Sequence, residues 1–421
     1  MDHWALPEKR NRANSKIHPS KELSIMSQPE IVFLSGVRTA IGDYGGSLKD
    51  FPPTQLAAMV VKEAVARAGV DAADVGACVF GNVIHTEPKD MYMSRVAALD
   101  GGLPQTSQAF TLNRLCGSGL QAICSAAQQI MLGDVETAVA GGSENMSRSL
   151  YSLSNARWGQ RMGDGTLMDM MVGALSDPFD KVHMGMTAEN VAERFSITRE
   201  DQDALAVESH QRAAAAQAAG RFKDQILPVE LKSRKGTTLF EVDEHVRGDV
   251  SIEGMAKLRT AFKKDGTVTP GNASGINDAA AAVVVMSADV AKAKGLKSMA
   301  RLVGYAVTGV DPQIMGMGPV SAVQRVMERT GLSIGDMDVI ELNEAFAAQA
   351  LACARDLELD PAKVNPNGSG ISLGHPIGAT GAILMVKALY ELQRVGGRYA
   401  LISMCIGGGQ GIAAIIENSA S

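Results

Sequence analysis

One arrangement of residues occurs twice in this chain. In the first half, Cys116 sits in the glycine-rich NRLCGSGLQA and is followed by an apolar helix-like stretch, Gly133, the strand-like ETAVA and a turn at Gly141-Gly142. In the second half, NGSGISLGHPIGATG runs into AILMVKALYELQRVGG, then the strand-like YALISM and the run Cys405-Ile406-Gly407-Gly408-Gly409. Each copy reads glycine-rich loop, helix, strand, glycine turn. A fold built from two such copies brings the two helix starts together at a pseudo-twofold axis. His375 then lies near Cys116, and Cys405 sits on the second copy's glycine turn. The spacing places Pro376 in the first turn of the second helix, where proline is tolerated.

After Cys116, the residues Leu120, Ala122, Ile123, Ala126, Ala127 and Ile130 recur at helical spacing, so the cysteine falls at or just before a helix N-terminus. Unpaired N–H groups and the positive dipole end favour a thiolate there. The adjoining glycines let a substrate approach the backbone closely. Taken singly, each chemistry-bearing residue has a plain structural use. Cys116 can be a buried inert thiol, His375 a helix cap, Asn343 of NEAFAAQA an N-cap, and GGGQG a turn. Together they supply a nucleophile, a base and a hydrogen-bonding orienter, the set that acyl transfer through a thioester needs.

From residue 31 onward short apolar runs alternate with helical stretches: IVFLSG, a helix over 54–68, then the strand-like ACVFGNVI. This is α/β grammar. Residues 148–270 differ, being rich in Met and charge. They carry a capping signal at Thr198 to Asp201 before an Ala-rich helix that ends at Gly220. They read as an inserted, more exposed subdomain. The stripe Met168, Met170, Met171, Met184 and Met186 lines an adaptable pocket on one reading and serves core or interface packing on the other.

The chain has 421 residues, 46% hydrophobic and 20% charged, as expected of a soluble globular protein with a large core. A net charge of −6 with scattered basic residues argues against a nucleic-acid partner, and no apolar run reaches the length of a membrane span. The five cysteines (Cys78, Cys116, Cys124, Cys353 and Cys405) show neither CxxC nor alternating Cys/His spacing, so no metal site or disulfide framework is expected and a reducing, cytoplasmic setting fits. Residues 1–27 are expected to be a disordered extension. Residues 1–25 are polar and aperiodic, Met26 opens a more convincing N-terminus, and Glu8 and Glu22 count against a transit peptide.

The motifs LCGSGLQA, GGSENMS, HMGMTAEN, GNASGIND, NEAFAAQA, NGSGISLGHPIGATG and CIGGGQG occur in that order, and over nearly all of 30–421 the chain resembles the thiolases. It is most similar to the bacterial β-ketothiolases. The resemblance implies an α/β thiolase fold: duplicated βαβαβαββ halves in five layers, α-β-α-β-α, with an inserted loop domain. It places an N-terminal domain over 28–147 plus 271–295, a loop domain for coenzyme A and tetramer contacts over 148–270, and a C-terminal domain over 296–421.

The implied reaction is the reversible Claisen condensation of two acetyl-CoA, or of an acyl-CoA with acetyl-CoA, to a 3-ketoacyl-CoA and CoA. By the resemblance Cys116 carries the acyl group as a thioester and His375 activates it. Cys405 moves a proton on or off Cα of the second acetyl-CoA. Asn343 holds a water that forms an oxyanion hole with His375, and the N–H groups of Cys116 and Gly407 form a second hole. Coenzyme A contacts fall on Leu175, His183, Met184, Arg247, Phe262, Ser274, Met315, Ala345 and Phe346. Arg247 offers a guanidinium suited to the nucleotide end.

The same likeness implies acyl-CoA substrates, a homotetramer built as a dimer of dimers, no permanently bound cofactor and no metal. Pro270 departs from the alanine common before GNASG. The rival enzyme reading is a degradative 3-ketoacyl-CoA thiolase, and the rival non-enzyme reading is an acyl-CoA or lipid carrier. The formal GxGxxA at 117–122 lacks the buried strand that a dinucleotide site requires, because Asn113 and Arg114 stand there.

Overall fold

A computed structural model describes residues 28–234 and 236–419, so the expectation for 1–27 lies outside the described residues. The first half runs β1 (Ile31–Thr39), α1 (Pro53–Ala68), β2 (Ala77–Gly81), α2 (Met93–Asp100), β3 (Gln108–Leu112), α3 (Ser118–Met131) and β4 (Thr137–Asn145). The chain then departs and returns as β5 (Asn277–Ser287). β1, β4 and β5 are buried along their whole lengths, which is why their sequences read as continuous small and apolar runs and not as an alternation. β5 pairs antiparallel with β1 on one side and β4 on the other, giving the spatial order β3-β2-β4-β5-β1.

Between β4 and β5 lies the segment that reads as an insertion. Its helix α4 (Met184–Arg194) packs against residues 312–317, and α5 (Arg199–Ala218) starts with the capping box of Thr198 and Asp201 and gives way to a left-handed Gly220. The segment is tied to β1 by a buried pair, Arg38 to Asp243 at 2.7 and 3.0 Å. Its exposure is greatest over 150–181 and again over 230–267, while one face of α4 and one face of α5 are buried.

The second half repeats the plan with β6 (Ala300–Gly309), α6 (Gly318–Thr330), β7 (Val339–Leu342), α7 (Ala347–Asp356), α8 (Thr380–Val395), β8 (Tyr399–Ile406) and β9 (Gln410–Asn418). The order β7-β8-β9-β6 matches that of the first half, except at the position of β3. There only an isolated bridge, Ile340 with Val364, remains. Asn365 follows in a left-handed conformation (φ 47) and Pro366 then lacks an N–H, so a strand cannot extend.

α3 and α8 pack on each other between the two half-sheets. A Cβ on Gly119 would lie 2.7 Å from Ala382 N, and one on Gly381 would lie 2.4 Å from Leu120 N. Only glycine permits that approach. With α1 outside one half-sheet and α6 outside the other, the layers follow α-β-α-β-α. The half-sheets are not separate: β1 and β6 pair at Val32–Arg301 and Phe33–Ala300, making one sheet of 11 strands.

One local expectation fails. Pro376 is not in the first turn of α8, which begins four residues later at Thr380. The N–H of Gly378 is taken by the Glu144 carboxylate at 2.8 Å, and the Pro376 carbonyl accepts from Ala379 N (2.8 Å) and Thr380 N (2.9 Å). Residues 376–379 are thereby held as a turn.

Candidate active site

Cys116 sits on a strained turn at the start of α3. Leu115, immediately before it, has φ 44, a conformation that is costly without glycine. Side chains hold that strain in place. Asn113 Oδ1 accepts the Leu115 N–H at 2.8 Å, while Ser118 Oγ donates to the Leu115 carbonyl at 2.7 Å and accepts from Arg114 N at 2.8 Å. Gly117 has no room for a side chain, since a Cβ would meet Ile406 Cδ1 at 2.5 Å.

The second half supplies the partners. His375 precedes the turn before α8, and Cys405 lies near the end of β8, with Gly407 in the turn that follows. Asn343 follows β7 directly and continues its pairing with β8 through the Ser403 carbonyl at 3.0 Å. Cys116, His375, Cys405 and Gly407 share one cavity of about 490 Å³. The Gly407 N–H favours the thiolate form of Cys116. Asn343 stands behind this wall: its Nδ2 is 3.5 Å from both ring nitrogens of His375, and its Oδ1 is buried without a protein partner.

Burial decides the protonation states. It pushes the Cys116 thiol up to about 11, against the N–H groups of Gly407 and Cys116 itself, which favour the thiolate. The expectation of a thiolate at the helix start is therefore corrected: desolvation exceeds the contribution of the helix end. Cys405 is pushed well above the ordinary range, first by burial and then by Cys116. Burial drives His375 down to about 4, so its imidazole is neutral and able to take a proton.

The residues expected at coenzyme A line the same cavity. Phe262 stacks on His183 at 4.6 Å between ring centroids and meets Phe346 edge-on at 6.4 Å. His183 caps α4, its Nδ1 accepting the Gly185 N–H at 3.1 Å. Ser274 donates its N–H to the Ala345 carbonyl at 3.0 Å. Leu175, Met184, Met315, Ala345, Phe346 and Ser274 complete the wall, with Arg247 exposed and Pro270 beside it. Of the methionine stripe only Met184 reaches the cavity. Met146 and Met315 line it as well, Met168 and Met170 are exposed, and Met171 packs against Ile84, Met146 and Ile377.

Residues 31–289 match the thiolase N-terminal domain and residues 296–418 the thiolase C-terminal domain. The chain belongs to the thiolase family. It is therefore an acyltransferase enzyme. This thiolase is 64% identical over 389 residues to the β-ketothiolase BktB of Cupriavidus necator, covering 92% of this chain and 99% of that one. The crystal structure of the Bacillus anthracis acetyl-CoA acetyltransferase superposes with a TM-score of 0.91 at 48% identity, over 93% of this chain and 99% of the other. The human mitochondrial 3-ketoacyl-CoA thiolase in complex with CoA gives 0.90 at 43% identity, over 93% and 98%.

Sequence reasoning missed the residues that hold the His375 segment of this thiolase. Thr380 Oγ1 lies 2.7 Å from His375 Nδ1, and Asn277 Oδ1 accepts the His375 backbone N–H at 3.0 Å. Both stand inside quoted motifs, GHPIGATG and GNASGIND, where a side chain able to accept was the available signal. Asp43 and His245, 2.5 Å apart, also line the cavity and had no motif to mark them.

Proposed function

We propose that this thiolase is an acetyl-CoA C-acetyltransferase, a β-ketothiolase that joins two acetyl-CoA, or an acyl-CoA and acetyl-CoA, into a 3-ketoacyl-CoA and free CoA, and runs the reverse thiolysis. The observation that carries this reading is two thiols, the half-buried Cys116 and the buried Cys405, sharing one cavity with a neutral His375. The names of the similar proteins support it: β-ketothiolase, acetyl-CoA acetyltransferase, and a 3-ketoacyl-CoA thiolase bound to CoA.

In the first step the Cys116 sulfur attacks the thioester carbonyl as His375 takes its proton. The N–H groups of Cys116 and Gly407 receive the developing oxyanion, where one donor is typically worth about 10²–10³ in rate. The C–S bond to coenzyme A breaks, and the departing thiolate takes the proton of Cys405, which leaves a Cys405 thiolate and a protonated His375. In the second step the Cys405 thiolate removes a Cα proton from the incoming acetyl-CoA. The enolate oxygen is held by His375 and by a water on Asn343. The carbanion carbon attacks the Cys116 thioester, releasing the 3-ketoacyl-CoA, and the Cys116 thiolate regains the proton held by His375, with Cys405 left as a thiol. A raised Cys405 thiol gives a strong base once ionised and keeps it from competing as nucleophile in the first step.

His183, Phe262, Phe346, Met184, Met315, Leu175, Ser274 and Ala345 form the channel for pantetheine, and Arg247 faces the nucleotide. The domains follow the boundaries 28–147 with 271–295, 148–270, and 296–421. The assembly is a homotetramer in the cytoplasm. The exposed apolar side chains of 150–172, Trp158 and Met162 (85% and 93% exposed) among them, support a contact face there. Thiolysis of 3-ketoacyl-CoAs from four carbons upward with free CoA tests the function. Cleavage of acetoacetyl-CoA with the highest kcat/KM among short chains supports it, highest kcat/KM on long chains favours the degradative thiolase, and no cleavage at all refutes it.

A further inference from the structure

Glu144, at the end of β4, is fully buried and takes no step in the mechanism above. Its carboxylate is saturated by four N–H donors from two loops. Asn82 Nδ2 (3.1 Å) and Ile84 N (3.0 Å) reach one oxygen, and Val83 N (3.0 Å) and Gly378 N (2.8 Å) reach the other. Burial pushes the Glu144 carboxyl up to about 8, and the N–H groups of Ile84, Val83 and Gly378 pull it back toward the ionised form that accepts from all four donors.

The two loops it joins bracket the nucleophile. Ile84 from one and Ile377 from the other cluster with Met146, and Cys116 packs against that cluster. Gly378 stands three residues after His375, and its loop is pressed onto Glu144 so closely that a Cβ there would lie 2.3 Å from Oε2.

We propose that Glu144 is a positioning residue of the acyl-transfer site: its carboxylate clamps the His375 loop to the 82–84 loop. The proposal rests on the reading of Cys116 as nucleophile and His375 as its base. The clamp fixes where the base stands.

The test uses the full-length protein carrying Glu144→Gln, with Gly378→Ala as its partner. Glutamine keeps the volume, removes the charge and turns an amide NH₂ toward an N–H donor. The account predicts a fall in kcat for acetoacetyl-CoA thiolysis on the order of 10²-fold, the cost of an ångström-scale misplacement, with KM unchanged. Gly378→Ala displaces the same loop from the other side, so kcat falls there too with KM unchanged.

A wild-type kcat in Glu144→Gln overturns the proposal, and so does a KM that rises in step with the loss of kcat, which marks packing alone. If Glu144→Gln does not fold, Gly378→Ala decides, and a wild-type kcat there overturns the clamp. Wild-type thiolysis is measured beside both variants, so a wild-type protein inactive on every 3-ketoacyl-CoA would sink the enzymatic reading separately.

Discussion

His375 Nδ1 lies 2.7 Å from Thr380 Oγ1, and the hydroxyl hydrogen of Thr380 goes to the Pro376 carbonyl at 2.9 Å. Thr380 therefore accepts from Nδ1–H, and the lone pair of the imidazole is left on Nε2. One methyl-sized polar group, a turn and a half along the chain, selects the tautomer that can act as base.

Thr380→Val keeps the branched shape and deletes the acceptor. The ring loses its preferred tautomer and a buried N–H loses its partner. Thiolysis kcat is expected to fall by roughly 10- to 10²-fold, at the low end of what a positioned general base contributes. Circular dichroism and the oligomeric state should match wild type. An unchanged kcat would show that the ring is set by other contacts.

The low basicity of His375 has a consequence for stability. In the folded protein burial holds its pKa at about 4, against 6.5 for the free side chain. The fold resists the proton that the unfolded chain accepts. The contribution is intact above 6.5 and is lost as pH falls toward 4, by roughly 3 kcal/mol. His375→Asn lacks it, so the wild-type Tm should fall more steeply than the variant's between pH 6.5 and 4. Parallel curves would contradict the burial assignment.

Gly185 lies under the Phe262 ring, where a Cβ would meet ring carbons at 2.2 to 2.4 Å. Gly185→Ala must push Phe262 off His183 and into the channel. Overpacking of this kind costs about 1–3 kcal/mol. KM for acyl-CoA should rise while acetylation of Cys116 at saturating substrate persists. A KM equal to wild type would remove Phe262 from the substrate channel.

Arg247 is exposed at the outer part of the cavity, far along the chain from every proposed reacting group. Arg247→Glu should raise KM for CoA thioesters by roughly 10- to 100-fold, the worth of a charge-assisted hydrogen bond, and leave acyl-pantetheine substrates unaffected. Equal losses with both substrate types would mean that Arg247 supports the fold instead.

The duplicated plan was legible because both copies carry the same order of glycine, apolar helix and apolar strand. The meeting of Cys116, His375 and Cys405 follows from that order once α3 and α8 pack face to face at Gly119 and Gly381. What escaped the sequence was of two kinds. Contacts such as Glu144 to Gly378 and Asn277 to His375 join residues 234 and 98 positions apart, and no periodicity encodes them. The start of α8 was misplaced for that reason, since a distant carboxylate holds the turn. Local rules also weighed a helix end without its surroundings: the start of α3 favours a thiolate, but desolvation of the half-buried Cys116 outweighs it. The missing third strand of the second half turns on Asn365 and Pro366, which were visible but were not read as a strand stop.

The central claim is that the two cavity cysteines perform different steps, Cys116 carrying the acyl group and Cys405 moving the Cα proton. Intact-protein mass spectrometry after incubation with acetyl-CoA, followed by peptide mapping, tests it directly. Cys405→Ala is predicted to gain one acetyl group on Cys116, because thioester exchange removes no Cα proton, and then to fail to condense it with a second acetyl-CoA. Cys116→Ala is predicted to gain none. An acetyl adduct that persists in Cys116→Ala, or condensation at the wild-type rate by Cys405→Ala, would contradict the assignment.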